Sequence, residues 1–388
     1  MDAHTEIARA IDSYRDKVVA LSHEIHERPE LKFQEHFAAG LLSKAATELG
    51  LEVEREVGGL KTAFRAEFGA KGPAVAILAE YDALPNGHSC GHNLIAGAAL
   101  SAVAGLKSIG GKLPGRVVFL GTPAEEGGGG KIILIDQGAL RGVDAAMMAH
   151  PTDSEYCTMP ALATQHLKLT FHGHGAHAAL APWDGSSALA AVIQTFQSVD
   201  AMRLHLRDGS RIHGIITDGG QAVNIIPEHA ECLFLARGKT SKYAKEMGAR
   251  VIRCAEGAAM ATGTRLEHVI EGGYKNLINN LSMAHRYAAH TEALGTKSVE
   301  APENTPTGST DMGDVSHVMP AIHPSFAISR RGEGNCHEDA FVAHADSQRG
   351  YDAMIRVAKA MAMTAYDLLA EPELLAAAKK EFEARKES

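Results

Sequence analysis

The stretch AEYDALPNGHSCGHNLIAG, residues 79–97, decides how the rest of the chain is interpreted. It follows the apolar run AVAIL and gathers carboxylate, imidazole and thiol side chains within 13 positions: Glu80, Asp82, His88, Cys90 and His92. Such side chains in a glycine-containing loop would make a poor hydrophobic core. They suit a divalent metal, with some side chains binding the ion and others orienting the ligands. His88 is the weaker ligand candidate, and we expect it to support the ligands or to face solvent.

Length and composition bound the class of protein. The chain has 388 residues, which is enough for two domains, and its 45% hydrophobic and 22% charged content is typical of a globular protein. A net charge of −9 argues against a nucleic-acid-binding surface. We find no membrane-spanning stretch and no signal-peptide core in MDAHTEIARAIDSY. Five cysteines do not make a disulfide scaffold, so we expect a cytoplasmic protein with reduced thiols.

Three nearly continuous apolar runs alternate with helical patterns in the first part of the chain. They cover residues 74–79, 117–120 and 145–149. Strands that are apolar on both faces and joined by helices are typical of a parallel sheet covered on both sides. The sequence therefore predicts an α/β domain with a mostly parallel sheet.

Reactive side chains follow the carboxyl end of each apolar run. They are Glu80 and Asp82 after the first run, Glu125 and Glu126 after the second, and His150 after the third. Ligands bind at this edge of open α/β sheets, so we expect the three groups to meet in space. Neighbouring residues of an extended segment point in opposite directions. One of the two adjacent glutamates is then able to bind metal while the other acts as a base.

The pattern changes near residue 163 and indicates a second domain. Strand and helix patterns follow one another in the order β-α-β-β-α-β over residues 164–274, which is typical of a ferredoxin-like unit. We predict that this domain is inserted into a catalytic domain formed by residues 1–163 and 275–388. The alternative is a C-terminal extension of the first sheet. The buried-helix pattern of residues 349–370 favours the insertion, since that helix needs the first sheet.

Several candidate ligands remain open on local grounds. Cys90 and His92 form a C-x-H pair, although a buried free cysteine beside a capping histidine would look the same. His150 follows an apolar run at the expected edge of the sheet. In NCHEDAF, Cys336 and His337 are equally plausible ligands.

Five motifs together resemble the peptidase M20 family of metallopeptidases and amidohydrolases, in its aminoacylase-like branch. They are EYDALP…GHSCGHNLIAG, GTPAEEGGGGKI, MAHP, GHGAHAALAPWDG and GGQAVNIIPEHAECLFLAR, in family order. The first is most similar to that of the aminobenzoyl-glutamate hydrolase-like dipeptidases. The resemblance implies a catalytic α/β domain with two divalent metal ions, zinc or manganese. It also implies that the inserted domain is a lid and dimerisation domain of a homodimer or higher homo-oligomer.

The resemblance also implies a role for each matching residue. The metal ligands would be Cys90, His92, Glu126, His150 and His337, which selects His337 over Cys336. Glu125 would be the general base, Asp82 would orient the ligands, and His177 would enter the active site of the partner subunit and help to hold the oxyanion. Asn224 and Arg237 would bind the carboxylate of the released amino acid.

The activity implied is metal-dependent cleavage of the amide bond of N-acyl amino acids or small dipeptides that carry a free carboxylate. Two alternatives are hydrolytic deamination of an aromatic amino-acid-like substrate on the same site, and a binding protein without catalysis. The short loop before CGH and the segment GNCHEDAF depart from the commonest family pattern. Both departures would change the acyl side of the pocket. They therefore affect which substrate is accepted more than which reaction is catalysed.

Overall fold

The computed structural model describes residues 2–386. The helices of this part are α1 (Ala3–His26), α2 (His36–Glu48), α3 (His92–Ser108), α4 (Gly130–Asp136), α5 (Ala188–Arg203), α6 (Ser241–Thr262), α7 (Leu281–Ala293), α8 (Met312–Ser316), α9 (Asp339–Ala345), α10 (Gln348–Ala370) and α11 (Pro372–Lys386). The strands are β1 (Val53–Arg55), β2 (Phe64–Gly69), β3 (Ala74–Ala79), β4 (Arg116–Gly121), β5 (Ala145–Met147), β6 (His150–Thr152), β7 (Tyr156–Thr158), β8 (Ala163–His172), β9 (Arg211–Asp218), β10 (His229–Gly238), β11 (Arg265–Ile270), β12 (Val299–Glu300), β13 (Ala321–Ile322) and β14 (Ser325–Ala327). The predicted outer domain limits at residues 1 and 388 lie outside the described residues.

The chain divides into two compact units. The first unit contains the described residues up to Pro160, the segment Leu277–Thr305 and the described residues from Asp314 onward. The second unit contains Ala161–Asn276 and Pro306–Gly313. The short segment Pro306–Gly313 thus groups with the second unit, whereas the sequence prediction assigned it to the catalytic domain.

A six-stranded sheet organises the first unit, in the order β1-β2-β4-β3-β5-β13. Strands β4, β3, β5 and β13 run parallel, and β1 and β2 add an antiparallel edge. All six residues of β3 are buried, because the sheet is covered on both faces. The predicted α/β fold with a mostly parallel central sheet is confirmed.

Helix α3 is buried from His92 to Leu106 because α1 and α10 pack against it. Its small residues make this close approach feasible. A Cβ atom on Gly105 would lie 2.7 Å from the Cγ1 atom of Ile11 in α1. Helix α3 is therefore a buried helix of small residues, and it begins at the end of the loop that follows β3.

A second, four-stranded sheet in the first unit has the order β12-β7-β14-β6. Strand β14 runs parallel to β6, with Ser325 opposite His150. This pairing ties the residues after the third apolar run to a segment about 170 positions later in the chain.

The second unit contains the elements β8, α5, β9, β10, α6 and β11, which is the β-α-β-β-α-β order expected for residues 164–274. Its antiparallel sheet has the order β11-β8-β10-β9. Helices α5 and α6 pack together and cover one face of this sheet. Strand β9 is an edge strand, and its Ile215 and Ile216 side chains are exposed.

Within residues 2–386, none of the helices is long and apolar enough to cross a membrane.

Candidate metal centre

The loop after β3 forms the floor of the candidate site. Glu80 and Asp82 are buried directly after the strand, and His92 is buried at the start of α3. Gly91 has a positive φ of 70°, and a Cβ atom there would lie 2.6 Å from the Cγ atom of Pro151. Only glycine adopts this conformation at such close range without strain. The loop therefore reaches the segment that carries His150.

Asp82 joins two of the three strand ends. Its Oδ1 atom accepts a hydrogen bond from His92 Nδ1 at 3.1 Å, and its Oδ2 atom accepts one from the backbone N–H of Glu126 at 2.9 Å. Burial acts to raise the pKa of Asp82, but the hydrogen bond from His92 outweighs it and lowers the pKa. Asp82 is therefore an ionised acceptor that orients both His92 and Glu126.

The imidazoles of His92 and His150 both donate a hydrogen bond from Nδ1 and leave Nε2 facing the site. His92 donates from Nδ1 to Asp82, and His150 donates from Nδ1 to the carbonyl oxygen of Pro151 at 2.8 Å. The Nε2 atom of His92 has no hydrogen-bond partner among residues 2–386, and that of His150 lies 3.4 Å from Cys90 Sγ. Metal-binding histidines have this arrangement, because the hydrogen bond from one nitrogen sets the tautomer that leaves the other as an electron-pair donor.

Glu126 and His337 complete the group, although they are far apart in sequence. The Oε1 atom of Glu126 is buried, has no hydrogen-bond partner in the described part of the chain, and lies 3.5 Å from His337 Nε2. Ligand atoms of Cys90, His92 and Glu126 lie within 4.8 Å of one another. The structure thus brings the five predicted ligands together, and their ligand roles stay predictions.

His337 is held at this site by its backbone. It has a positive φ of 73°, which is uncommon for a residue other than glycine, and its N–H donates to the carbonyl oxygen of Ser89 at 2.8 Å. Burial acts to lower the pKa of His337, but its interaction with Glu126 is larger and raises the pKa. The long-range backbone bond brings the C-terminal motif next to the loop that contains Cys90.

The structure corrects the reasoning about the adjacent glutamates. They do not lie in an extended segment but in a turn over residues 125–128, where the N–H of Gly128 donates to the carbonyl oxygen of Ala124 at 3.2 Å. The two carboxylates still diverge. Glu126 lies with Cys90 and His92, whereas a carboxylate oxygen of Glu125 lies within 4.8 Å of one of Glu80. Glu125 is only 7% exposed.

Glu35 supports the turn that presents Glu125, and the sequence analysis did not identify it. Its Oε1 atom accepts from the backbone N–H groups of Phe33 and Ala124, and its Oε2 atom accepts from the Thr62 hydroxyl. Ala124 itself has a positive φ of 61°. Burial raises the pKa of Glu35 to about 7, because these neutral donors do not offset the loss of solvent around the charge. No local pattern around residue 35 signals this long-range contact.

Two further residues that sequence reasoning missed lie behind the candidate ligands. Lys131 forms a buried ion pair with Glu80, and its place directly after GGGG was the only available signal. His323 is buried with its ring edge-on to His150, and it donates from Nδ1 to the carbonyl oxygen of Met148 at 3.1 Å. Burial lowers the pKa of His323, so its ring stays neutral beside His150.

His88 does not face solvent. It is buried, its Nε2 atom donates to the carbonyl oxygen of Ile25 at 3.1 Å, and its ring stacks on that of His26. Burial lowers the pKa of His88 to about 3. Of the two expectations for His88, exposure to solvent is wrong, because the loop packs its ring against α1, whereas support of the ligands stays a prediction.

The remaining predicted site residues belong to the second unit and fall into two places. His177 forms an isolated antiparallel β-bridge with Ile225, and the N–H of Ala178 donates to the carbonyl oxygen of Asn224 at 3.0 Å. The exposed residues His177 and Asn224 therefore lie together beyond one end of β10. Arg237 lies near the other end of β10, where its Nη1 atom donates to Ser309 Oγ at 2.9 Å. Eight residue-to-residue steps of extended strand, about 26 Å, separate His229 from Arg237. Asn224 and Arg237 therefore lie toward opposite ends of β10.

Comparison with known proteins identifies the family. The model of peptidase family M20/M25/M40 matches residues 76–360. This chain belongs to that family. The Xaa-Arg dipeptidase of Mus musculus is 38% identical and aligns with 97% of this chain and 91% of its own length. A subunit of the p-aminobenzoyl-glutamate hydrolase of Escherichia coli is 29% identical over 94% of this chain and 92% of its own length.

Solved structures of the M20 fold agree with the architecture. An aminobenzoyl-glutamate utilization protein from Klebsiella pneumoniae superposes with a TM-score of 0.74 at 18% identity, over 93% of this chain and 98% of its own. A dinuclear metal binding M20 peptidase from Bacillus subtilis gives a TM-score of 0.68 at 21% identity, over 89% and 98%. The assignment to the M20 family and to an amide-cleaving hydrolase, made from the motifs, is confirmed.

Proposed function

We propose that this M20 hydrolase uses two divalent metal ions to cleave the amide bond of dipeptides or N-acyl amino acids that carry a free carboxylate. The observation that carries the proposal is the hydrogen bonding around Asp82. This carboxylate orients His92 and Glu126, and it leaves His92 Nε2 and Glu126 Oε1 without hydrogen-bond partners among the residues described. Their charged neighbours, Glu80 and His337, lie 3.6 and 3.5 Å away. Unpartnered buried polar atoms are costly unless something binds them.

The donor set suits a borderline-soft metal. The residues that would hold it are Cys90, His92, Glu126, His150 and His337. Thiolate and imidazole ligands together favour zinc, and the carboxylate and imidazoles also accept manganese. Bound divalent cations would polarise the scissile carbonyl and make water a better nucleophile at neutral pH.

Glu125 is proposed as the general base. Its carboxylate is almost fully buried, and one of its oxygens lies within 4.8 Å of an oxygen of Glu80. In this position Glu125 would take the proton from the attacking water and deliver it to the nitrogen of the leaving amine. A positioned acid/base of this kind contributes about 10²–10⁴-fold to a rate.

Relatives suggest which substrates to test. The mouse and human homologues are named Xaa-Arg dipeptidases, and the bacterial one is named for p-aminobenzoyl-glutamate. All these substrates end in a free carboxylate. Arg237 is proposed to bind it, because a planar guanidinium donates to both carboxylate oxygens. Burial lowers the pKa of Arg237 without removing its charge, so a carboxylate is a fitting partner.

His177 and Asn224 are proposed to act in the site of a second copy of the chain. They lie at the other end of β10 from Arg237, which supports a substrate site that takes residues from two subunits. The Nδ1 atom of His177 accepts from the N–H groups of Ala179 and Leu180, so Nε2 carries the proton and can donate to a developing oxyanion. The unpaired edge of β9, with exposed Ile215 and Ile216, supports an interface between copies.

A cytoplasmic location is proposed from the cysteines. All five cysteines are free thiols. Two of them, Cys90 and Cys336, lie within 4.8 Å of each other at the site, and a reducing compartment would keep both available. Cell fractionation of the native host tests this location directly.

The central test is hydrolysis by metal-stripped protein that has been repleted with zinc or manganese. The panel contains Xaa-Arg dipeptides, p-aminobenzoyl-glutamate, N-acetyl amino acids and aromatic amino acids, with products read by mass spectrometry. We expect metal-dependent release of a free amino acid from at least one amide. Ammonia release without amide cleavage would replace the proposal with deamination, and tight binding without any turnover would replace it with a binding function.

A subunit-mixing experiment tests the role of His177. Glu125→Gln and His177→Ala variants are each expected to be nearly inactive. Co-expression of the two creates mixed dimers in which one site has both native side chains if His177 acts across the interface. Recovery of up to about a quarter of wild-type activity is then expected from random pairing. No recovery in verified mixed dimers would show that His177 acts within its own chain or not at all.

A further inference from the structure

Cys336 lies closer to the candidate metal centre than the family resemblance implies. The ligand atoms of Cys90, His150 and Cys336 lie within 4.8 Å of one another. These residues come from the loop after β3, the start of β6 and the segment before α9. Two thiols and an imidazole thus converge in one place, whereas the expected ligand set contains a single thiol.

We propose that Cys336 is a sixth metal ligand, which forms a two-sulfur, one-nitrogen donor set with Cys90 and His150. The proposal rests on the proposed function, because it adds a ligand to the same centre. Each thiol would release its proton to solvent when it binds the metal. Cys90 would be shared between this set and the set that includes His92 and Glu126, since both groups contain its sulfur.

The carbonyl oxygen of Pro151 orients two of the three donors. It accepts a hydrogen bond from His150 Nδ1 at 2.8 Å and one from Cys336 Sγ at 3.4 Å. The first bond leaves Nε2 of His150 as the donor atom, and the second holds the Cys336 sulfur beside it. A single backbone group therefore orients the imidazole and, until the thiol loses its proton to a metal, places the second sulfur beside it.

The backbone around Cys336 is fixed by hydrogen bonds of its own. The N–H of Cys336 donates to Asn335 Oδ1 at 2.8 Å, and the N–H of Glu338 donates to the carbonyl oxygen of Asn335 at 3.0 Å. The N–H of His337 reaches Ser89, the residue before Cys90. The two thiols are thus attached to segments whose backbones are hydrogen-bonded to each other.

Two thiolates change the metal that this part of the centre prefers. Thiolates are soft ligands that favour zinc and cobalt, whereas manganese and magnesium prefer oxygen ligands. With Cys336 as a ligand, the Cys90–His150–Cys336 set should hold zinc much more tightly than manganese. Removal of Cys336 should reduce this preference.

The test is cobalt substitution of the full-length protein, without oxygen and with a reductant that does not bind metal. A cobalt–thiolate bond gives a charge-transfer band in the near ultraviolet, and its intensity rises with the number of thiolates. The variants are Cys336→Ser, Cys90→Ser and, as a matched control, Cys254→Ser. Cys254 lies on α6 and belongs to none of the clusters of metal-binding side chains found in the described residues. Bound cobalt is counted by mass spectrometry, and circular dichroism verifies folding.

We expect Cys336→Ser to lose about half of the band, because one of two thiolates is removed. It should also release zinc to a chelator at least about tenfold more readily, since even indirect supports of metal ligands contribute this much. Cys254→Ser should match the wild type. A full band in folded, cobalt-loaded Cys336→Ser would overturn the sixth-ligand proposal and leave the metal centre intact. Failure of the wild-type protein to bind cobalt or zinc would instead overturn the metal centre itself.

A zinc-edge X-ray absorption measurement gives an independent count of sulfur ligands. Zinc–sulfur bonds of about 2.3 Å are resolved from zinc–nitrogen bonds of about 2.0–2.1 Å. The sulfur contribution should fall in Cys336→Ser and be unchanged in Cys254→Ser. An unchanged sulfur shell in Cys336→Ser would contradict the proposal even if the variant binds zinc more weakly.

Discussion

Two clusters in the first unit combine histidines with a buried aspartate, yet their hydrogen bonds differ. Asp367 accepts from His4 and His290 at 2.6 and 2.7 Å and from Arg286 at 2.7 Å, so both carboxylate oxygens have close partners. At the candidate metal centre, Asp82 also has partners on both oxygens, but the His92 ring that it orients leaves Nε2 without a hydrogen-bond partner in the described structure. Residue types alone would make both clusters candidate metal sites.

The difference separates a structural cluster from one suited to a ligand. Around Asp367 the donors neutralise the carboxylate and tie α1, α7 and α10 together, so its oxygens are already engaged. Around Asp82 the hydrogen bonds fix the tautomers and aim ligand atoms at a common point. Unsatisfied buried atoms, more than the density of histidines, therefore mark the functional cluster.

The largest effect is expected from Glu125→Gln, which breaks the functional cluster without removing a proposed ligand. Turnover should fall about 10²–10⁴-fold, because the amide cannot take a proton from water. Metal content should stay at the wild-type level. Steady-state hydrolysis and metal analysis test this, with Glu24→Gln on the exposed side of α1 as the matched control. Near-normal turnover in Glu125→Gln would remove this residue from the role of base.

Asp82→Asn should weaken metal binding by about 10–100-fold, as expected when the partner of a ligating histidine is lost. The amide keeps only one strong acceptor, so His92 and the backbone of Glu126 cannot both be held. Competition with a chelator measures the affinity. Asp367→Asn is the matched control and should bind metal like the wild type. Equal losses of metal affinity in Asp82→Asn and Asp367→Asn would show that the two clusters do not differ in their role in metal binding.

Asp367→Asn should instead destabilise the metal-free fold by about 2.5 kcal/mol at pH 7. Burial acts to raise the pKa of Asp367, but the bonds from His290, Arg286 and His4 outweigh it and lower the pKa from 3.8 to about 2. This stabilisation is present above pH 4 and is lost as the pH falls toward 2. Urea unfolding between pH 7 and pH 2 tests whether the difference in unfolding free energy between Asp367→Asn and wild type disappears as the pH falls from 4 toward 2.

A surface carboxylate provides the control for that measurement. Asp352 is more than half exposed and pairs with Arg15 at 2.6 Å. Asp352→Asn should cost less than about 1 kcal/mol, since exposed ion pairs contribute little. Equal destabilisation by the two substitutions would contradict a special role for the buried cluster.

Substitution of Glu35 is expected to have a small effect on stability that depends strongly on pH. It tests how a buried carboxylate behaves when it has no charged donor. Glu35 is buried like Asp367 but accepts only from neutral donors, and its pKa is raised from 4.5 to about 7. The folded carboxyl keeps its proton where the unfolded one has lost it, so stability falls as the pH rises from 4.5 to 7. Glu35→Gln should be about 2 kcal/mol more stable than the wild type at pH 6 and nearly equal to it at pH 4.5.

Urea unfolding of metal-free protein at the two pH values measures this effect, with Glu24→Gln as the control. A difference between Glu35→Gln and wild type that does not change with pH would show that Glu35 is not protonated in the fold. A loss of stability at both values would show that the carboxylate hydrogen bonds matter more than its charge.

Much of the fold and part of the site could be predicted from local pattern. Buried strands such as β3 are continuous apolar runs, and the order of elements in the second unit follows from alternating periods of two and near four residues. His150 could be selected because it directly follows such a run, and Cys90 and His92 because they form a C-x-H pair in the loop after another. The turn of Glu125 and Glu126 could not, because its shape depends on Glu35, which lies about 90 positions earlier.

The sequence by itself determined the family, the mixed α/β architecture and the residues that follow each strand, because these depend on short motifs and on the period of apolar residues. Only the tertiary structure decided which side chains meet. It brought Cys336 to Cys90 and His150, turned His88 toward α1, and separated the saturated Asp367 cluster from the open one at Asp82. The physical reason is that hydrogen-bond saturation depends on partners from distant parts of the chain, which no local pattern encodes.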